Sequence, residues 1–286
     1  MLKIPIIIGP TAVGKTNYAL ELASKKSLEI VSADSMQVYK HMNIGTAKPT
    51  KEEMAGIPHH LIDIINPDED WNVFSFLKEA RHLLFETARR AVVVGGTGLY
   101  IRSLIYNFKT PQLEPNKEIR DKYKDIALEK GVDELHKMLF LVDPDSALKI
   151  KKADEFRIIR ALEVFDITGI PFSAQQSMDE SFADKFQLIC LNTDRSIVYD
   201  RINKRVDIMV EQGLFAEVQK LLDMGYSSDL VSMQALGYKE VVRCFNEELT
   251  KDETIDLIKM RTRNFAKRQL TWFRGFPNVE WIDIEK

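Results

Sequence analysis

The sequence predicts an α/β fold: a P-loop parallel sheet core flanked by helices, with an all-helical insertion domain. Three observations predict it. Short apolar runs alternate with helical periodicity in the N-terminal half, the pattern of βαβ units. The first run leads straight into a glycine-rich loop of the phosphate-binding type. Strand signal then vanishes from about residue 110 to residue 185 and resumes afterwards.

Lys3 to Ile8 reads as the first strand, its unbroken apolar run suiting burial on both faces. Tyr18, Leu20 and Leu22 start a helical pattern after the loop, and Glu29 to Ser32 gives the second strand. Val73, Phe74, Leu77, Ala80, Leu83, Leu84 and Ala88 recur at three- and four-residue steps, a helix burying one face. Ala91 to Val94 is the next strand. From Thr110 to Asp184, Pro111, Pro115, Pro144 and Pro171 punctuate successive helices, among them Lys117 to Lys130 and Asp154 to Thr168. Gln187 to Leu191 and Val279 to Ile284 are the remaining strand candidates. The expected division is therefore a core of residues 1–109 and 186–286 around an insertion of residues 110–185.

The 286 residues are 45% hydrophobic and 29% charged, which excludes disordered, collagenous and disulfide-scaffold classes. No apolar run approaches the roughly 20 residues of a membrane helix. No signal-peptide pattern opens the chain, so a soluble, cytoplasmic protein is expected. Cys190 and Cys244 are expected to be reduced and buried. The net charge of -3 carries no global basic signature, yet Leu257 to Val279 holds Lys259, Arg261, Arg263, Lys267, Arg268 and Arg274 without a carboxylate. That run predicts a local surface for a polyanion. Arg261, Lys267 and Arg268 alternate there with Phe265, Trp272 and Phe273, a mixture suited to phosphates and bases, with a merely solvated helix face as the alternative.

Chemistry concentrates in three strand ends. Gly9-Pro-Thr-Ala-Val-Gly14-Lys15-Thr16 matches G-x-x-x-x-G-K-[ST] between a strand and a helix. Its backbone N–H groups and the helix start favour an anion, Lys15 adds a mobile charge, and the Thr16 hydroxyl suits Mg²⁺. Asp34 closes the second strand, where it serves as a general base facing Lys15, as a cap on the following turn, or as an outer Mg²⁺ partner. Gly95-Gly-Thr97-Gly-Leu-Tyr100 brings further N–H groups and the Thr97 hydroxyl toward the same crevice, or simply packs tightly. The pair His59-His60 lacks the spaced partners of a zinc site and reads as loop or packing.

These residues suit two reactions. One is a small-molecule kinase, with ATP on the loop, Asp34 as base and the insertion as lid. The other is an alkyl transfer in which the loop grips the diphosphate of the departing group. A non-catalytic RNA-binding module is a third reading.

The segments GPTAVGKT (Gly9 to Thr16), DSMQVY (Asp34 to Tyr39), GTAKP (Gly45 to Pro49), PHHLID (Pro58 to Asp63), GGTGLYI (Gly95 to Ile101), RIIRALEV (Arg157 to Val164), ALGYKE (Ala235 to Glu240) and KRQLTWFR (Lys267 to Arg274) resemble the tRNA dimethylallyltransferase, or tRNA isopentenyltransferase, family. They fall in the family's order along nearly the whole chain. The zinc-finger extension of eukaryotic relatives has no counterpart, so the bacterial type is expected. The resemblance implies transfer of a dimethylallyl group from dimethylallyl diphosphate to N6 of the adenosine 3′ of the anticodon, in tRNAs reading codons that begin with U, with release of diphosphate. It implies that Gly9, Pro10, Thr11, Ala12, Val13, Gly14, Lys15, Thr16 and Arg205 hold the diphosphate, with Mg²⁺ near Thr16. By the same resemblance Asp34 is the general base, Ser35, Met36 and Gln37 touch the target base, and Thr97 lines the tunnel where the substrates meet. It places further tRNA contacts at Arg120, Phe156, Arg157, Ile158, Ile159 and Arg160 in the insertion. Gly237, Lys239, Lys267, Arg268, Gln269, Trp272 and Arg274 complete them, so that the anticodon stem-loop is gripped by a protein expected to be a monomer.

Overall fold

The computed structural model describes residues 3–87, 89–107, 113, 115–177 and 179–285. The expected helix member Ala88 and the expected insertion start at Thr110 and Pro111 lie outside the described residues. The chain forms two compact units, Met1–Ile105 with Ser181–Lys286, and Tyr106–Glu180.

The first unit is built on six parallel strands: β1 (Ile4–Ile8), β2 (Glu29–Ser32), β3 (His59–His60), β4 (Ala91–Val94), β5 (Phe186–Asn192) and β6 (Glu280–Asp283), in the order β3-β2-β4-β1-β5-β6. Ile6, Ile7, Ile8, Val92, Val93 and Leu191 are fully enclosed, because helices cover both faces and leave the central strands no wet side. β3 is absent from the sequence reading, which takes the histidines as loop or packing residues. Two residues are too few for periodicity to register, and the strand exists because His59 and His60 align with Ile30 and Val31 along the edge of β2. His60 also pairs with Glu29, whose other partner is Arg89.

Helices α1 (Lys15–Lys26), α2 (Val73–Arg81) and α3 (Gly98–Ile105) connect these strands. Asn72 caps α2 by accepting from the N–H groups of Phe74 and Ser75, and the helix runs on through one π turn to Glu86. After β5 come α8 (Arg195–Glu211), α9 (Leu214–Asp223), α10 (Tyr238–Phe245) and α11 (Lys251–Arg274), the numbers α4 to α7 belonging to the second unit. Their apolar sides close on Val38, Tyr39 and Met42, so the segment after β2 is held by the last third of the chain. Cys190 is enclosed as expected; Cys244, on the outer part of α10, is only half-buried, and both are free.

The second unit packs α4 (Lys117–Lys130), α5 (Val132–Val142), α6 (Pro144–Lys149) and α7 (Glu155–Thr168) around Tyr123, Leu135, Leu139, Ile158, Ile159 and Leu162. Two expected tRNA contacts are corrected here. Ile158 and Ile159 are 0% and 6% exposed, because the helical repeat turns them inward with Leu162 while Phe156 and Arg157 face solvent. Arg120 and Arg160 converge on the fully buried Glu163 at 2.8 Å and 2.7 Å, and Asn116 N–H donates to the same carboxylate at 2.7 Å. Burial opposes the ionisation of Glu163, but hydrogen bonds from Arg120 and Arg160 outweigh it and hold the carboxyl below its ordinary range. Glu163→Gln is expected to lower the unfolding free energy by about 2 to 3 kcal/mol in urea titrations at pH 7, since two guanidinium groups lose their anion. A carboxyl depressed by folding stabilises above its unfolded pKa, so the difference between the two proteins shrinks as pH falls below about 4.5.

Candidate functional site

β1 ends in a loop that folds back tightly. Gly9 has φ 148° and passes so close to β5 that a Cβ there would lie 2.7 Å from the Leu191 carbonyl oxygen, and Gly14 has φ 99° as it turns into α1. The Lys15 ammonium donates to the carbonyls of Gly9 and Pro10 at 2.9 Å and 2.8 Å, spanning the loop's inner edge. Desolvation, followed by repulsion from the nearby Arg205 guanidinium, pushes the Lys15 pKa down to about 8. Arg205 reaches in from α8, its Nη1 lying 3.5 Å from Thr11 Oγ1. Thr11 to Thr16, Asp34 and Arg205 line a cavity of about 510 Å³. Gly9 and Pro10 lie buried beneath it and act through the carbonyls that hold Lys15.

The second and third strand ends complete the opening. β4 stands between β2 and β1, so Asp34 faces the P-loop across one intervening strand end. Ala33 N–H donates to Val94 O at 2.7 Å, and a Cβ on Gly95 would lie 2.2 Å from Ala33 O, so glycine is what lets the two turns touch. Asp34 Oδ1 accepts from the N–H groups of Met36 and Gln37 at 2.8 Å and 3.3 Å. One oxygen thus serves as the turn cap, while Oδ2 takes no hydrogen bond among the described residues. Thr97 Oγ1 accepts from Ser35 N–H at 3.2 Å.

A second cavity of about 510 Å³ opens beside the first and shares Thr11, Asp34, Thr46, Ala47 and Arg205 with it. Ser35, Met36, Thr97, Gly237, Lys239, Phe265 and Arg268 are among the residues that line it. Gln37, expected against a target base, instead donates its amide to the carbonyls of Thr46 and Ala47 at 3.3 Å each and lines the first cavity.

The partition between the cavities is a segment to which the sequence gives no chemical signal. Glu217 on α9 accepts the N–H groups of Asn43, Ile44 and Gly45 and the Tyr238 hydroxyl, the last at 2.6 Å. Lys48 is buried and donates to Tyr39 O and Asn43 Oδ1. Only the GTAKP string hints at this region, and nothing near residue 217 does.

The basic run is less positive than its sequence. It lacks carboxylates of its own, but α8 supplies Asp207 to Lys259 at 2.6 Å and α10 supplies the buried Glu240 to Arg261, while Arg263 keeps its charge and donates to the neutral Asn203. Lys267, Arg268 and Arg274 remain exposed, with Arg268 over the Phe265 ring. Gln269 and Trp272 do not share that outward face. Gln269 is 5% exposed and bonds the P-loop, while the Trp272 ring packs so closely on Gly98 that a Cβ there would meet it at 2.7 Å. Among the described residues no cluster of three His, Cys, Asp or Glu side chains could hold a metal ion. No described helix is long and apolar enough to cross a membrane.

A family model described as IPP transferase matches residues 37–276. The curated tRNA dimethylallyltransferase of Carboxydothermus hydrogenoformans is 50% identical over 291 residues, covering 99% of this chain and 93% of that protein. The tRNA isopentenylpyrophosphate transferase of Bacillus halodurans superposes with a TM-score of 0.71 at 43% identity, covering 98% of this chain and 89% of that one. A eukaryotic dimethylallyltransferase acting on tRNA gives 0.80 at 28% identity, covering 99% and 74%.

Proposed function

The chain belongs to the IPP transferase family, and from that membership we propose that the paired cavities are the active site of a tRNA dimethylallyltransferase. The observation that carries the reading is their shared boundary: an anion cradle and a chamber with stacking and cationic walls meet at Asp34 and Arg205. A kinase needs a cradle and a small acceptor site. It has no use for a chamber lined by Lys239, Phe265 and Arg268.

In this reading the cradle holds the diphosphate of dimethylallyl diphosphate, and N6 of the adenosine 3′ of the anticodon enters the second cavity. Lys15, Arg205 and the loop N–H groups meet charge as it grows on the departing oxygens. Thr97 and the Ser35–Met36 turn hold the acceptor side, so that carbon and nitrogen approach in line with little water between them. Asp34 uses its Oδ2 to take the proton that the amine loses as the carbon–nitrogen bond forms and diphosphate departs. An anticodon loop gives up a base more cheaply than a duplex does. The Thr16 hydroxyl is a hard oxygen donor at the cradle and fits Mg²⁺ shared with diphosphate oxygens, where it would add neutralising charge. The proposed tRNA substrate argues for a cytoplasmic setting.

The test incubates the protein with unmodified anticodon stem-loop and labelled dimethylallyl diphosphate, and in parallel with ATP and small hydroxylic acceptors. Label on the RNA is the expected result; phosphorylated acceptor with unlabelled RNA would replace this reading by the kinase. Binding to RNA is further expected to weaken steeply with salt. Lys267→Ala and Arg268→Ala should each lower the log–log slope by about one.

A further inference from the structure

Gln269 follows two outward-facing cations in the basic run, yet its side chain points the other way. Its Oε1 accepts Thr11 N–H at 2.8 Å and its Nε2 donates to Gly96 O at 3.0 Å, in a site where the residue is 5% exposed. One amide therefore ties the first turn of the P-loop to the turn between β4 and α3. The Thr11 N–H is committed to this bond, and the same residue's hydroxyl meets Arg205. The choice of residue at position 96 agrees with this contact. Gly96 is not in the left-handed region, so its backbone does not demand glycine; a Cβ there would instead lie 2.2 Å from Gln269 Nε2. The glycine makes room for the amide.

We infer that Gln269 is a positioning residue for the diphosphate, fixing Thr11 and through it Arg205, and that it makes no RNA contact. The inference rests on the cradle being the diphosphate site. Orphaning the Thr11 amide and the Gly96 carbonyl would let the loop move by the small distances to which charge stabilisation is most sensitive.

The experiment measures binding of inorganic diphosphate and of anticodon stem-loop RNA by calorimetry, together with steady-state kinetics. Gln269→Met is expected to weaken diphosphate binding about tenfold and to raise the KM for dimethylallyl diphosphate by a similar factor, with RNA affinity within about twofold. Gly96→Ala, which keeps the glutamine but displaces it, should reproduce the loss. Added to Gln269→Ala, the same glycine change should cost nothing further, because the clash has gone. Unchanged diphosphate binding, a loss confined to RNA affinity, or additive effects in the double variant would overturn the inference. If Gln269→Met fails to fold, Gly96→Ala still decides the matter. Should the unaltered protein itself bind no diphosphate, the cradle reading falls and this one with it.

Discussion

Asp34→Asn is expected to lower turnover by about 10² or more while leaving affinity for an anticodon stem-loop within about threefold. Asparagine is the informative change because of how the carboxylate is divided. Oδ1 holds the turn through Met36 and Gln37, and an amide oxygen keeps both bonds. What asparagine loses is the basicity of the second oxygen, the one the turn leaves without a hydrogen bond. Asp34→Ala would remove the turn as well and confuse folding with chemistry. Single-turnover rates with saturating donor and RNA separate the steps, and a rate unchanged from the parent would remove Asp34 from proton transfer.

Lys15→Ala should reduce kcat/KM for dimethylallyl diphosphate by about 10² to 10³, and the unaltered protein should show a pH limb from the same group. Folding lowers the Lys15 pKa from 10.5 to about 8, so the ammonium is intact below that pH and loses its proton as pH rises through it. Because kcat/KM reports the free protein, it should fall on the alkaline side of about 8. Bound diphosphate favours the ammonium again, so the corresponding limb in kcat lies at higher pH. Lys15→Arg, which keeps its charge throughout, should flatten the limb even if its activity is lower. An alkaline limb that survives in Lys15→Arg would assign it to another group.

The sheet and the cradle are legible because they rest on local patterns. A glycine-rich loop between an apolar run and a helix needs no long-range information, and the strands around it are long enough for their composition to speak. What escapes the sequence depends on partners far along the chain. His59 and His60 form a strand only because β2 offers an edge, and Glu217 matters only because three N–H groups far upstream converge on it. The basic run shows the same limit in reverse. Its lack of carboxylates is real within the segment, but Asp207 and Glu240 arrive from other helices. Likewise a motif string such as KRQLTWFR does not say which side of a helix each letter occupies, so Gln269 and Trp272 read as surface until the helical repeat is laid against the P-loop.

The placement of β1 between β4 and β5 governs how this protein can be made. During synthesis the P-loop strand emerges long before one of its two neighbours, Phe186–Asn192, so that flank stays open while the ribosome translates the whole helical unit. An apolar strand with a bare hydrogen-bonding edge is a hazard for association with other nascent chains. A polypeptide halted before residue 186 should therefore precipitate, and the nascent chain has most need of a chaperone over that interval.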